Sequence, residues 1–365
     1  MKVREILESL EHFAPLPLQD SFDNAGLQVG VTEVEATGTL LCLDVTEAVV
    51  DEAISLGFNL IISHHPLIFK SCKSITGKDY IGRCIFKAIK NDIVIYSAHT
   101  NLDNVVKGVN AKMAEKIGLK NIRILSARND ALLKLVVYVP SEYVGSVREA
   151  LFAAGCGCIG QYDSCSYSCE GKGTFRPLEG TRPFCGVIGR LHTASEVRVE
   201  TILPAHRKAD VLQVLLDNHP YEEPAFDFYP VRNDWSQVGV GVVGELYKPM
   251  ECRDFLWKVK QTFGVECIRH NGFNDRKIAT VALCGGAGAF LIPQALHGKA
   301  DAFVTGEIKY HEYFGYENDI LLVQAGHYES ERYTIELFSE VLGKSFPGLR
   351  IRQTECNTNP IKYLY

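Results

Sequence analysis

Three pairs of side chains in this sequence have the types and spacing of metal ligands. The pairs are His64 with His65, His99 with Asp103, and His327 with Glu331. Imidazole and carboxylate groups together form a mixed nitrogen and oxygen ligand set, which suits Zn, Mn, Fe, Co or Ni better than Ca. The pairs therefore predict a site for divalent metal ions, although each pair could instead cap a helix or fill a turn.

The spacing within the pairs favours two ions rather than one. Adjacent residues on a regular strand point to opposite faces, so the rings of His64 and His65 can diverge toward two ions only at a strand end. His327 and Glu331 are four residues apart and share one face of a helix, where the carboxylate could bridge two ions. Two ions about 3.5–4 Å apart can generate hydroxide at neutral pH and polarise a carbonyl, amidine or phosphoryl group.

Alternating apolar runs and amphipathic segments predict the elements that position these pairs. Strands are expected at residues 40–45, 59–63, 93–98, 278–284, 302–305 and 320–324. Helices are expected at residues 3–12, 46–56, 79–90, 108–117, 290–297 and 328–342. This alternation is typical of an α/β fold, in which ligands lie at the carboxyl ends of parallel strands. We therefore predict two related α/β halves with largely parallel sheets, which form one core.

The predicted order of strands and helices changes in the segment between these halves. Strands at 133–140, 165–174 and 197–203, helices at 144–154 and 205–218, and a last strand after 219 give the order β-α-β-β-α-β. This is the order of a ferredoxin-like α+β domain. We predict a metal-binding core at 1–130 and 236–365, and an inserted domain at 131–235.

Composition excludes several other classes of protein. The net charge of -6 argues against a surface devoted to nucleic acid. The chain has no apolar run of membrane-spanning length and no secretory leader, so we expect no membrane partner and a cytoplasmic location. The 12 cysteines have no disulfide-framework spacing, and we expect most of them to be buried thiols. The same expectation holds for the cluster in the insert, where zinc is the alternative: Cys156, Cys158, Cys165, Cys169 and Cys185.

Four motifs in this order resemble the family of GTP cyclohydrolase 1 type 2 homologues, the YbgI-like proteins. The motifs are Ser-His-His-Pro at 63–66, Ser-Ala-His-Thr-Asn-Leu-Asp at 97–103, Gly-Glu-Ile-Lys-Tyr-His at 306–311 and Gly-His-Tyr-Glu-Ser-Glu at 326–331. The resemblance implies two divalent metal ions per chain, GTP ring opening and a toroidal homohexamer. It also implies five metal ligands, namely His64, His65, Asp103, His327 and a bridging Glu331.

The insert resembles the PII-like or CutA-like domain of longer members of this family, and Tyr-Glu-Glu-Pro at 221–224 fits that signature. One departure is Phe22, where the family usually has tryptophan before Asp-Asn. An exchange of one aromatic residue for another puts only local packing in doubt.

Other residues in or near the motifs could have more than one role. His99 is expected to orient the site by a hydrogen bond rather than to bind metal, and Asp23 is available to the site. Glu307 and His311 could act as general acid or base, or could cap a helix. The glycine turn at 285–288 could cradle an anion, but tight packing is favoured.

Two functions remain in competition at this stage. The ligand set favours a metal-dependent hydrolase of small nucleotide-like or cyclic amide substrates. The alternative is a non-catalytic regulatory or adaptor hexamer, in which the insert binds a metabolite or a partner. The sequence names neither the metal nor the substrate.

Overall fold

The computed structural model describes residues 1–71, 73–272 and 276–364. The chain forms two compact units: a core unit of Met1–Ala127 with Gln237–Tyr365, and an inserted unit of Arg128–Ser236. Within the described residues, no helix has the length and hydrophobicity that crossing a membrane requires.

The helices of the described chain agree with most of the predicted positions. They are α1 (Val3–Phe13), α2 (Glu47–Leu56), α3 (Tyr80–Lys90), α4 (Thr100–Asp103), α5 (Val109–Ile117), α6 (Val144–Ala153), α7 (Lys208–Asn218), α8 (Cys252–Phe263), α9 (Ile292–His297), α10 (His327–Glu331) and α11 (Thr334–Ser345). Thr46 caps α2 by accepting a hydrogen bond from the amide of Val49, and Asp79 caps α3 in the same way. The local capping signals therefore set where these helices begin.

The strands form three sheets. They are β1 (Gly26–Val29), β2 (Thr39–Cys42), β3 (Leu60–Ser63), β4 (Val94–Ser97), β5 (Leu119–Arg128), β6 (Leu132–Pro140), β7 (Ser166–Phe175), β8 (His192–Pro204), β9 (Phe226–Val231), β10 (Trp235–Glu251), β11 (Arg269–His270), β12 (Lys277–Cys284), β13 (Ala302–Thr305), β14 (Leu321–Gln324) and β15 (Ile351–Gln353).

The first sheet of the core unit has the order β1-β4-β3-β2-β15. Strands β15, β2, β3 and β4 are parallel, and β1 joins the edge in the antiparallel direction. Every residue of β2, β3 and β4 is buried, as expected for parallel strands covered on both faces. In register, Cys42 lies opposite Ser63 and Ser63 lies opposite Ser97, so the carboxyl ends of these strands are level.

The second sheet of the core unit has the order β11-β14-β13-β12-β10-β5. Strands β12, β13 and β14 are parallel, whereas β10 pairs with β12, and β11 with β14, in the antiparallel direction. The core unit is therefore a mixed α/β structure, with a parallel centre in each sheet and antiparallel strands added at the sides.

Two expectations for this unit need correction. The helix predicted at 328–342 is two helices, because α10 ends at Glu331 and α11 begins at Thr334. Neither proline nor glycine marks the break at residues 332–333, so the sequence pattern alone could not reveal it. Sequence reasoning also missed six elements: α4, β5, β10, α8, β11 and β15. Strand β10 has 17 residues and several glycines, which weaken the strand signal.

The inserted unit has one antiparallel sheet of order β7-β8-β6-β9. Apolar residues of β6 and β8 pack against α6 and α7, which supply Val147, Leu151, Val211 and Leu215 to the same hydrophobic core. The chain order of these elements is β-α-β-β-α-β. This unit therefore has a hydrophobic core of its own.

The expectation that the cysteines of the insert are buried is wrong for most of the cluster. Cys156 is buried, but Cys158 and Cys169 are exposed, and Cys165 and Cys185 are half-buried. Strand β7 lies at the edge of its sheet and exposes almost all its residues, which explains the exposure of Cys169. Across the described chain, fewer than half of the cysteines are buried: Cys42, Cys84, Cys156, Cys252 and Cys284.

Candidate metal centre

The candidate ligands lie where the parallel strands of the two core sheets end. His64 and His65 follow β3, and His99 follows β4 and precedes α4, which ends at Asp103. His327 begins α10, directly after β14. The level carboxyl ends of the strands thus bring residues from distant parts of the chain into one place.

His64 is fully buried and has one nitrogen without a hydrogen-bond partner. Its Nδ1 lies 2.9 Å from the carbonyl oxygen of Ala98, so Nδ1 carries the proton and donates it. Its buried Nε2 has no hydrogen-bond partner, and lies 3.8 Å from Oδ1 of Asp103 and 3.9 Å from Oε1 of Glu331. A buried polar atom without a partner costs free energy, and here the lone pair of Nε2 faces two carboxylates. A metal cation would satisfy all three groups.

His65 and His327 each lie between two carboxylates. Nδ1 of His65 is 2.8 Å from Oδ1 of Asp44, and its Nε2 is 3.0 Å from Oε2 of Glu331. Nδ1 of His327 is 2.7 Å from Oε1 of Glu307, and its Nε2 is 3.2 Å from the same Oε2 of Glu331. An outer carboxylate that accepts the Nδ1 proton directs Nε2 inward, which is the usual arrangement of metal-binding histidines.

His99 has the same arrangement, with Asp23 as its outer carboxylate. Nδ1 of His99 lies 2.7 Å from Oδ1 of Asp23. The other oxygen of Asp23 accepts hydrogen bonds from the amide and the hydroxyl of Thr100. Asp23 is therefore held at the start of α4 and fixes the orientation of the His99 ring.

Two groups of side chains in the described residues could hold a metal ion. One contains His64, His65 and His99, and the other contains His65, His327 and Glu331. Within each group the ligand atoms lie within 4.8 Å of one another. The first group places His99 beside the expected ligands, whereas sequence reasoning preferred an orienting role for it over metal binding and gave it a candidate catalytic role. The donor set of imidazoles and carboxylates fits a divalent transition metal.

The charges at this site favour added positive charge. Burial raises the pKa of Asp103, and the nearby carboxylate of Glu331 raises it further. Burial alone would also raise the pKa of Glu331, but its hydrogen bonds with His327 and His65 and the nearby imidazole of His64 hold it well below its usual range. The carboxylates of Asp103 and Glu331 both lie within 4 Å of Nε2 of His64, so their negative charges repel each other unless a cation lies between them.

The histidines that contact Glu331 bind protons tightly for the same reason. Burial lowers the pKa of His65, but its hydrogen bonds with Asp44 and Glu331 outweigh burial and raise that pKa to about 10. Burial likewise lowers the pKa of His327, but hydrogen bonds with Glu331 and Glu307 raise it to about 9. These carboxylates would stabilise metal cations by the same electrostatic attraction.

The glycine turn after β12 packs against Glu331. A Cβ atom on Gly286 would lie 2.4 Å from Oε1 of Glu331, and one on Gly285 would lie 3.1 Å from its Cγ. Gly286 also has a φ of +60°, and its amide donates to the hydroxyl of Ser330. The turn therefore packs tightly and leaves room for the carboxylate, as the favoured reading of 285–288 predicted.

A cavity of about 430 Å³ opens beside these side chains. Its lining includes His65, His99, His327, Glu307 and the C-terminal segment around Asn359. His311 is exposed on the short turn Tyr310–Tyr313 and does not line this cavity. The structure thus brings Glu307 to the site and leaves His311 outside it.

Sequence reasoning missed Asp44, whose carboxylate links His65 to the C-terminal segment. Its Oδ2 accepts a hydrogen bond of 2.8 Å from the hydroxyl of Thr358. Asp44 follows β2 just as His64 follows β3, so its position at a strand end was the available signal.

Phe22, the aromatic exchange noted in the sequence, is exposed. Its ring contacts that of Phe69 edge to face, at 6.4 Å between ring centroids. It is not a member of either group of potential ligands.

Comparisons with known proteins match this chain to one family over nearly its whole length. The model of the Duf34/NIF3 (NGG1p interacting factor 3) family matches residues 1–360. A protein of Halalkalibacterium halodurans named GTP cyclohydrolase 1 type 2 homolog is 42% identical over 307 residues, which cover 84% of this chain and 82% of that protein. The Bacillus subtilis protein of the same name is 39% identical over 371 residues, which cover 99% and 98%.

Solved structures with similar folds cover the whole chain. The crystal structure of a Bacillus cereus protein related to NIF3 has a TM-score of 0.84 and 38% identity, and covers 100% of this chain and 99% of that one. A Staphylococcus aureus protein of known structure has a TM-score of 0.78 and 33% identity, with the same coverage. The family match over nearly all of the sequence and these relatives lead to one conclusion: the chain belongs to the Duf34/NIF3 family.

Proposed function

We propose that the core unit binds two divalent metal ions through His64, His65, Asp103, His327 and a bridging Glu331. The observation that carries this proposal is the buried Nε2 of His64, which lacks a hydrogen-bond partner and faces Asp103 and Glu331. The two groups of potential ligands share His65, and Glu331 contacts both His65 and His327. A shared histidine and a carboxylate in contact with several rings support two neighbouring ions better than one.

The reaction that this site suits best is hydrolysis of a small nucleotide-like or cyclic amide substrate. Divalent ions, when bound, supply Lewis-acid activation of water and of a carbonyl, amidine or phosphoryl group. The name of the relatives, GTP cyclohydrolase 1 type 2 homolog, supports a GTP-like substrate class. The cavity beside the ligands has a volume suited to a small molecule.

Residues of this chain would supply the remaining chemistry. The carboxylate of Glu307 is half exposed at the cavity and already accepts the Nδ1 proton of His327, so it could move a proton to or from a substrate. His99 also lines the cavity, and Asp23 fixes its ring. His311 lies outside the lining, so we assign the proton-transfer role to Glu307 and His99 alone.

A second candidate function is a regulatory or adaptor protein, in which the inserted unit binds a ligand or a partner. Its supporting observation is that this unit has its own hydrophobic core and its own cavity of about 660 Å³. We propose that the unit is a ferredoxin-like domain of the PII or CutA type at 131–235, a reading that the sheet order β7-β8-β6-β9 supports. We further propose a toroidal homohexamer, which rests on resemblance.

Metal analysis followed by an activity screen tests these proposals. Mass spectrometry of the full chain is expected to find two ions per chain, and far fewer in Glu331→Ala. Glu329→Gln is the matched control, because Glu329 lies on the same helix but bonds to Asn359 instead of the histidines. The same samples are then screened with GTP, cyclic amides and phosphoesters. No bound metal in metal-replete protein would overturn the centre, and bound metal without turnover would leave the regulatory candidate.

A further inference from the structure

The cavity of the inserted unit lies beside strand β7 and beneath the segment that follows it. Its volume of about 660 Å³ is in the range of small-molecule sites. Aromatic rings form part of its wall: the ring centroids of Phe175 and Tyr221 are 5.8 Å apart, and those of Phe184 and Tyr221 are 5.9 Å apart. Leu178 at the same cavity is 66% exposed, so an apolar surface remains open to an occupant.

One buried charged side chain also faces this cavity. Glu196 is only 8% exposed, yet it belongs to the cavity lining. Burial raises the pKa of Tyr221, and the nearby carboxylate of Glu196 raises it further, so the Tyr221 hydroxyl keeps its proton beside this carboxylate. Among the described residues, no lysine, arginine or histidine forms an ion pair with Glu196.

Glu200, on the same strand as Glu196, is a carboxylate whose charge is neutralised by ion pairs. Glu200 is four residues beyond Glu196 on β8, so both side chains lie on the same face of the sheet. Glu200 forms ion pairs with Lys134 at 3.0 Å and Arg198 at 2.8 Å. Arg198 lines the cavity, but its charge is already paired with Glu200. A buried carboxylate without such a partner is costly, and a hydrogen-bond donor in the cavity would offset this cost.

Two glycines of β7 provide the space for this arrangement. A Cβ atom on Gly173 would lie 2.0 Å from Oε2 of Glu196, so only glycine leaves room for the carboxylate in its present position. Gly171 also lines the cavity, and a Cβ atom there would meet no atom within 4 Å. Glycine within a strand often marks a close approach of another group. Here Gly173 makes room for the Glu196 carboxylate, and Gly171 borders open space in the cavity.

We propose that this cavity binds a planar aromatic or heteroaromatic compound whose edge donates N–H groups, of the amidine or amino-heterocycle class. The rings of Phe175, Phe184 and Tyr221 would contact its faces. Glu196 would accept its N–H groups, in a charge-assisted and bidentate manner for an amidine. This inference gives a ligand class to the regulatory candidate and does not depend on the metal centre.

Calorimetric titration of the full chain with benzamidine and benzoate tests the proposal. The two probes share a ring, but one donates N–H groups and the other is an anion. Benzamidine is expected to bind saturably at one site per chain, and benzoate to bind far more weakly. Glu196→Gln is expected to weaken benzamidine binding by at least about 10-fold, because it removes a charge-assisted contact. Glu149→Gln, an exposed position on α6, is expected to leave binding unchanged.

Two further variants serve as controls: one for a folding defect in Glu196→Gln, and one for an effect of the candidate metal centre on binding. Gly173→Ala retains the charge of Glu196 but must displace its carboxylate, so it is also expected to weaken binding. Glu331→Gln is expected to reduce metal content and leave benzamidine binding intact. A thermal unfolding temperature equal to that of the wild-type chain would show that Glu196→Gln folds. If Glu196→Gln does not fold, benzamidine binding by Gly173→Ala tests the proposal instead. Absence of saturable binding, equal binding of benzoate, or full binding by the folded Glu196 and Gly173 variants would overturn the proposal.

Discussion

Glu331 of the core unit and Glu196 of the inserted unit are both buried carboxylates, but their surroundings differ. Glu331 is 4% exposed and contacts His65 at 3.0 Å and His327 at 3.2 Å. Glu196 is 8% exposed and has the hydroxyl of Tyr221 as its neighbour. Histidines around a carboxylate can exchange protons for metal ions, whereas an aromatic cavity around a carboxylate favours an organic N–H donor. Burial alone therefore does not define a site, because the neighbours decide its chemistry.

The largest effect expected from this comparison is a separation of the two sites by single substitutions. Substitution of a residue that only hydrogen-bonds to a metal ligand lowers metal affinity by up to about 100-fold. Glu331→Gln should lower it by more than this, because the substitution removes a charged ligand. Glu196→Gln should leave metal content unchanged. Metal analysis of both purified variants measures this difference. A comparable loss of metal from both variants would break the comparison.

A smaller loss of metal is expected when the outer carboxylates are neutralised. Asp44→Asn should weaken metal binding by about 10- to 100-fold, because Asp44 orients and polarises His65. Glu307→Gln should have an effect near the lower end of this range, since the Glu307 side chain is 55% exposed and better solvated. Competition with a chromogenic chelator measures both affinities. The reverse order of effects would contradict the assigned roles of these carboxylates.

The glycine next to Glu331 offers a steric test of the metal centre. Gly286→Ala should lower both metal affinity and stability, because the new Cβ would lie 2.4 Å from the Glu331 carboxylate. Gly57→Ala is the control, with a similar φ of +67° but no atom within 4 Å of the added Cβ. It should cost only about 1–2 kcal/mol of backbone strain and leave metal affinity unchanged. Equal metal affinity in the two variants would argue against tight packing on Glu331.

The smallest expected effect concerns the exposed thiols. Cys169 lines the cavity of the inserted unit, whereas Cys267 is exposed in the core unit. Bound benzamidine should slow alkylation of Cys169 a few-fold and leave Cys267 unaffected, because only Cys169 lies beside the proposed ligand. Mass spectrometry of peptides after timed alkylation measures both rates. Equal rates with and without benzamidine at Cys169 would place the ligand elsewhere.

Local sequence signals anticipated much of the core unit. Thr46 and Asp79 were readable as helix starts, and short apolar runs marked β2, β3 and β4. Such features depend on neighbours within a few residues of the chain, so pattern and capping rules capture them. The elements missed were those without such signals, above all the glycine-containing β10.

The sequence by itself determined which residue types meet at the candidate metal centre, because strand ends and helical spacing place His64, His65 and His327 at predictable positions. Only the tertiary structure decided their partners. Asp44 and Asp23 are distant in sequence from the rings that they orient, and no local pattern connects them. The same is true of Glu196, whose function depends on a cavity formed by the segment around Phe184 and the turn at Tyr221. Side-chain types follow from the chain, but burial and long-range contacts, which set the chemistry of each carboxylate, exist only in the folded protein.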